Sequence, residues 1–151
     1  MTMCISFAWT TAPLLAEEKD RTRRTWKSSH VRKFKKGDLV HAYDKDQRYG
    51  GIHVATIRLT ATPRLEPIDM MPDEDYVREG FSFLHDNQHY IPESDALGIR
   101  ELGGPEAFRQ WRDAGGGCWI IDFEIVKILV SLEDWWQRKF AATVKGSGKT
   151  A

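Results

Sequence analysis

Residues 119–125 constrain the fold more tightly than any other stretch of this chain. Trp119, Ile121, Phe123 and Ile125 fall on one face of an extended segment, and Asp122 and Glu124 fall on the other. Side chains alternate across a strand with a period of two, so the run predicts a half-buried β-strand. A second alternation, His53 to Ala61, places Ala55, Ile57 and Leu59 on one face and Thr56, Arg58 and Thr60 on the other. Met3 to Ala8 reads as a short buried strand. Gly37-Asp38 is a turn that opens another strand, Leu39 to Tyr43, and Asp44 to Gly51 reads as a hairpin loop.

Helices fit between these strands. Thr10 or Thr11 caps a short helix with Pro13 in its first turn, where proline is tolerated because that N–H is unpaired anyway. Pro63, Pro67 and Pro72 break the middle of the chain. A helix then starts at Pro72-Asp73-Glu74-Asp75, with acids in its first turn, and ends near Glu79 with Gly80 as its cap. His85 to Gly104 is polar and irregular, with a short helix after Ser94. A cleaner helix begins at Pro105, pairs Phe108 with Trp111 on one face and stops at Gly115-Gly116-Gly117. Ser131-Leu132-Glu133-Asp134 resembles a capping box that opens a final helix carrying Leu132, Trp136 and Phe140. Several short strands with inserted helices predict an α+β fold built on a small, mostly antiparallel β-barrel with an extra C-terminal helix.

Charge is unevenly distributed. The chain has 22 basic and 22 acidic residues, yet nine basic side chains lie between Lys19 and Lys36, with Asp20 as the single acid among them. The rest of the chain is therefore acidic. A positive segment on a negative body suggests an anionic partner, phosphate first. The segment itself reads as a loop or irregular turn. A length of 151 residues fits one domain, and no apolar run approaches the ~20 residues needed to span a bilayer. The N-terminal residues lack the charged and apolar regions of a signal peptide, and Cys4 and Cys118 do not make a disulfide framework. The expectation is a cytoplasmic protein with no membrane association.

The order of motifs then becomes specific. A helix ending in Leu14-Leu15-Ala16, the string Lys19-x-x-Thr22-x-Arg24, Gly37-Asp38 opening a strand, and Glu79-Gly80-Phe81 on a later helix together resemble the ASCH family of the PUA-like superfamily. The resemblance spans roughly residues 3–130. It implies a PUA-like pseudobarrel whose cleft holds RNA or a modified nucleobase. Some compact ASCH proteins are amidohydrolases that remove the acetyl group from N4-acetylcytidine, and their catalytic lysine, threonine and glutamate match Lys19, Thr22 and Glu79. Others have been described as ribonucleases or RNA-binding modules. No cofactor and no metal is implied. The domain runs over 1–142, with 85–117 as an insertion relative to compact members, 131–142 as the C-terminal helix and 143–151 as a flexible tail. The position two before the lysine is often glycine in the family; here it is Glu17.

In the hydrolase reading Thr22 supplies the nucleophilic hydroxyl, and a neutral Lys19 takes its proton. That role requires a large downward shift from the ordinary lysine value of ~10.4, to which Arg21, Arg23 and Arg24 contribute by like-charge repulsion. Glu79 passes a proton to the leaving amine or orients the lysine. Arg21 and Arg24 bind substrate, Arg24 through an oxyanion or base carbonyl, and Trp26 stacks on a base. Lys27, Arg32, Lys33, Lys35 and Lys36 contact phosphates. Each role has a plainer competitor. Lys19 and Glu79 can be a simple ion pair, and Thr22 a turn hydroxyl. Arg24 can pair with Asp20, Trp26 can be packing, and the basic run a solvated loop. His85 and His89 share a spacing used by zinc ligands but lack a third ligand. Gly146 to Thr150 resembles a phosphate-binding loop but lacks its first glycine and the following helix. Asp122 and Glu124 read as acids on a solvent face.

Overall fold

The computed structural model describes residues 3–90, 109, 112–113 and 116–141, without the side chains of 140 and 141. The helix expected from Pro105, the short helix after Ser94, the Phe140 side chain and the glycine-rich tail lie outside the described residues.

Six strands form one mixed sheet: β1 (Met3–Ser6), β2 (Arg21–Arg24), β3 (Leu39–Tyr43), β4 (His53–Leu59), β5 (Arg64–Pro67) and β6 (Gly117–Ile128). Their order is β1-β3-β4-β6-β2, and β5 also pairs with β6. β1 runs parallel to β3, and the other pairings are antiparallel. The result is an α+β fold on a curled, half-barrel sheet. The α-helices whose bounds fall within the described residues are α1 (Thr11–Leu15), α2 (Ser28–Val31), α3 (Asp75–Arg78), α4 (Phe81–Asp86) and α5 (Leu132–Trp136).

The core collects the inward side chains of the alternating strands. Ile5, Val40, Ala42, Ala55, Ile57, Leu59, Ile121 and Phe123 are buried together with Phe7, Leu14 and Leu84. The hairpin loop from Asp44 does more than turn the chain. Its buried carboxylate accepts from Ile52 N at 2.7 Å and from the Trp135 indole at 2.9 Å, and it pairs with Lys139 at 2.8 Å. That cluster fastens the C-terminal helix to the sheet. Ser131 caps α5 as expected, its hydroxyl accepting from Asp134 N at 3.1 Å, and five residues of wider π-type turn continue it. Trp135 is buried and Trp136 half-buried.

Three expectations need correction. The basic segment is not an irregular loop, because Arg21–Arg24 is strand β2, in register with Trp119–Asp122 of β6, and Ser28–Val31 is helical. Asp122 does not sit on a solvent face. Both faces of β6 are covered from Ile120 to Phe123, so Ile120, Ile121 and Asp122 are all buried, and from Glu124 onward an outward face reaches solvent. The irregular stretch was expected from His85, but α4 runs through it to Asp86.

Candidate functional site

The site is built where the end of α1, strand β2 and the end of α3 meet. Glu17 and Glu18 close α1 with two bonds, Glu17 N to Leu14 O at 3.0 Å and Glu18 N to Pro13 O at 2.9 Å. This is the Schellman arrangement, which needs a left-handed residue just past the helix end and normally uses glycine. Glu17 occupies that position with φ 59°. The glycine-to-glutamate departure therefore leaves the turn itself intact. The turn delivers Lys19 into the interior, and Asp20 is then held by two backbone bonds, one to Arg78 O and one from Phe123 N.

The α3 end is fixed by Gly80, whose φ of +94° closes the helix. A Cβ on Gly80 would lie 2.7 Å from both Cβ and Cγ of Pro13 and 3.5 Å from Cδ of Lys19. Only a glycine lets the Glu79 turn approach α1 closely enough for Lys19 and Glu79 to meet.

Lys19 is 4% exposed and Glu79 3%. The lysine amine donates to Arg21 O at 2.8 Å and to Glu79 O at 2.7 Å, while the nearer carboxylate contact, Glu79 Oε1, lies at 3.7 Å. An ammonium has three donors and needs three acceptors. A neutral amine keeps both carbonyl bonds and loses only the long contact. Burial accordingly pushes the Lys19 pKa down from 10.5 to about 8. Glu79 opposes the shift, and Arg24 adds a smaller push in the same direction. The cause differs from the expected one: Arg21 and Arg23 contribute little, because carboxylates neutralise them.

Those carboxylates were missed in the sequence. Asp75 is fully buried and receives Arg21 Nη1 at 3.0 and 3.1 Å and Arg23 Nη2 at 2.6 Å. Arg23 Nη1 also bonds Glu79 Oε2 at 2.7 Å. Asp122 receives Arg21 through two bonds, 2.5 and 3.0 Å, and is flanked by Arg64 at 3.1 Å and Arg78 at 3.5 Å. Burial works against the Arg21 charge, yet hydrogen bonds to Asp122 and Asp75 hold its pKa above the ordinary arginine range. Arg21 is thus committed to protein carboxylates on the Asp75 side of β2. Burial raises Glu79 above the usual carboxylate value, with Lys19 and Arg23 pulling it back.

Thr22 and Arg24 alternate with Arg21 and Arg23 along β2. Thr22 is buried, and its hydroxyl accepts from Arg24 Nε at 3.2 Å. The Arg24 guanidinium lies 5.3 Å from the Phe7 ring centre, and the Lys19 amine lies 6.0 Å from the same ring. Arg24 does not pair with Asp20, which takes Arg78 at 2.8 Å instead. Burial lowers Arg24 to about 10. A depression of about 200 Å³ lined by Glu17, Glu18, Lys19, Asp20, Val77 and Arg78 reaches Lys19 between α1 and α3.

Trp26 packs against His30 at 4.6 Å and stacks on Phe34 at 5.0 Å, and its carbonyl accepts the Trp119 indole at 3.0 Å. Lys27, Arg32, Lys33, Lys35 and Lys36 project outward around α2, and within the described residues none of them meets a carboxylate. His89 packs on Tyr90 and Trp136.

No known family profile matches this chain, and no curated protein matches it. Among solved structures it is similar to the crystal structure of protein EF3133 from Enterococcus faecalis V583, described under the family model DUF984. The TM-score is 0.50 and the identity 15%, covering 86% of this chain and 83% of that one. At that identity the likeness concerns the fold. No helix among the described residues is long and apolar enough to cross a membrane.

Proposed function

We propose that this protein is an ASCH-type, PUA-like domain that binds a modified nucleoside or RNA in a basic cleft and hydrolyses an N-acylated pyrimidine such as N4-acetylcytidine. The observation that carries the reading is the buried Lys19 amine, held by two carbonyls and 3.7 Å from Glu79 Oε1. A lysine whose pKa is about 8 supplies free amine near neutrality, which a lysine in water does not.

The steps balance. Lys19 removes the proton from the Thr22 hydroxyl as the oxygen adds to the acyl carbon. Arg24, on the Thr22 side of β2, stabilises the oxyanion. The C–N bond breaks as the proton taken from Thr22 passes from Lys19 through Glu79 to the exocyclic nitrogen, which releases cytidine, leaves the acyl group on Thr22 and returns Lys19 to the neutral amine. Water then cleaves the ester with Lys19 as base, yielding acetic acid and free Thr22. Asp75, Arg23 and Asp122 take no part in bond making. They lock β2 to α3 and hold Glu79 Oε2, so that Oε1 stays toward the amine.

A second reading rests on a separate observation. The five outward cations from Lys27 to Lys36 have no carboxylate partner among the described residues and suit phosphate contacts. On that reading the protein is a non-catalytic reader of RNA or of a modified base. Incubation with N4-acetylcytidine, followed by chromatography, separates the two. Cytidine formed by wild type and lost in Thr22→Ala and Glu79→Gln supports hydrolysis. No cytidine, with salt-dependent RNA binding unaffected by Lys19→Met, supports the reader. Cleavage of labelled RNA would instead indicate a ribonuclease.

A further inference from the structure

The ion pairs around β2 leave one cation over. Asp75 serves Arg21 and Arg23, Glu79 serves Arg23 and Lys19, and Asp122 serves Arg21, Arg64 and Arg78. Asp20 adds to Arg78, and Glu66 adds to Arg64. Among the described residues, every cation of this network except Arg24 has a carboxylate within ion-pair distance. Arg24 uses Nε on the Thr22 hydroxyl and rests on the Phe7 ring. A guanidinium has five N–H donors in a planar fork, so four remain on the two terminal nitrogens. They make no hydrogen bond within the described residues, and neither nitrogen is sealed from solvent.

An exposed arginine in this state would simply be hydrated. Arg24 is different because it is half-buried against an apolar ring, and burial lowers its pKa to about 10 while the Glu79 charge opposes the shift. The fork therefore carries one positive charge in excess of the carboxylates bonded to it, beside an apolar ring. A single carboxylate fits that excess in both charge and shape, because its two oxygens match the two terminal nitrogens of the fork. A doubly charged phosphate would over-neutralise it and place a net negative charge against Phe7.

We propose that Arg24 is the seat of a small monocarboxylate, and that the acetate formed by acyl hydrolysis occupies it and inhibits the enzyme as a product. The identity of the natural occupant rests on the proposed hydrolysis, but the seat itself does not. In this arrangement the arginine that steadies the oxyanion also retains the carboxylate that the oxyanion becomes, so product release competes with the next turnover. Other short monocarboxylates, formate and propionate, occupy the same fork.

The test exchanges sodium acetate for sodium chloride at constant ionic strength and follows the unfolding temperature and the heat of binding. Wild type is expected to show saturable stabilisation by acetate and none by inorganic phosphate. Arg24→Gln is expected to lose the effect. Arg24→Lys, which keeps the charge but not the fork, is expected to bind at least about tenfold more weakly. If the glutamine variant does not fold, the lysine variant and the acetate-against-phosphate comparison in wild type still decide the matter. Where N4-acetylcytidine is turned over, added acetate is expected to inhibit competitively. Acetate binding equal in wild type and both variants, phosphate binding as strong as acetate, or no acetate effect at all would overturn the seat. Acetate binding without any turnover would leave the seat standing and remove the hydrolysis.

Discussion

Replacing Lys19 by methionine is expected to change how stability depends on pH, and the structure sets both sign and size. The unfolded lysine titrates near 10.5 and the folded one at about 8. Below about pH 8 both states hold the proton, and the folded protein carries the full cost of a buried ammonium. Between the two values the unfolded state binds more protons, so stability rises with pH. Above about 10.5 both states are neutral and the cost is gone. The difference corresponds to about 3 kcal/mol. Methionine has a similar length and no charge, so it removes this cost along with the amine's hydrogen bonds to Arg21 O and Glu79 O. Those bonds contribute about 1 kcal/mol each. The variant is therefore about as stable as wild type near neutrality, or slightly more stable. As pH rises from about 8 to 10.5, wild type gains about 3 kcal/mol relative to the variant. Urea midpoints for both proteins, measured in parallel so that other titrating groups cancel, read the effect directly. A constant difference across this range would refute the argument that Lys19 is an easily deprotonated amine. A difference that shrinks because wild type loses stability with rising pH would mean that the pair with Glu79 dominates.

Other outcomes follow from the same geometry. Gly80→Ala is expected to destabilise by about 3 kcal/mol, combining left-handed strain with the 2.7 Å approach to Pro13, as read by chemical denaturation. Turnover should fall with it, because relief of the clash moves α1 away from Glu79. Glu17→Gly is expected to stabilise by about 0.5–1 kcal/mol, since it relieves a left-handed non-glycine residue at the end of α1, and it should leave activity unchanged. Arg23→Met removes bonds of 2.6 and 2.7 Å to Asp75 and Glu79 and is expected to cost about 3 kcal/mol near neutrality. That penalty should shrink as the pH is lowered, because Glu79, already raised by burial, takes up a proton more readily once Arg23 no longer holds it down.

The parts of this fold that the sequence reveals are those with a local signal. β3, β4 and α1 show in the alternation and the turn residues, and Gly80 shows as a helix cap. β2 was hidden because its four residues, Arg-Thr-Arg-Arg, have no apolar side chain to alternate. Its pattern becomes visible only once the partners are known: Arg21 and Arg23 face Asp75, and Thr22 and Arg24 face Phe7. The same blindness hid Asp122, whose alternation with apolar residues looks like a solvent face until β2 and its arginines cover it. One usable signal was overlooked. Asp75 and Glu79 are four residues apart and share a helix face, which could have linked both acids to the cations of β2. The Lys19–Glu79 meeting was legible only through the resemblance, since no spacing rule joins residues 60 positions apart.

If the buried Lys19 works as a base on an acyl pyrimidine, the pH dependence of cytidine release from N4-acetylcytidine reads that role directly. The rate is expected to rise with pH through a single acid limb centred at about 8, the value at which Lys19 loses its proton, and to vanish in Lys19→Met at every pH. No cytidine from wild type at any pH, or an undiminished rate in Lys19→Met, would contradict the account.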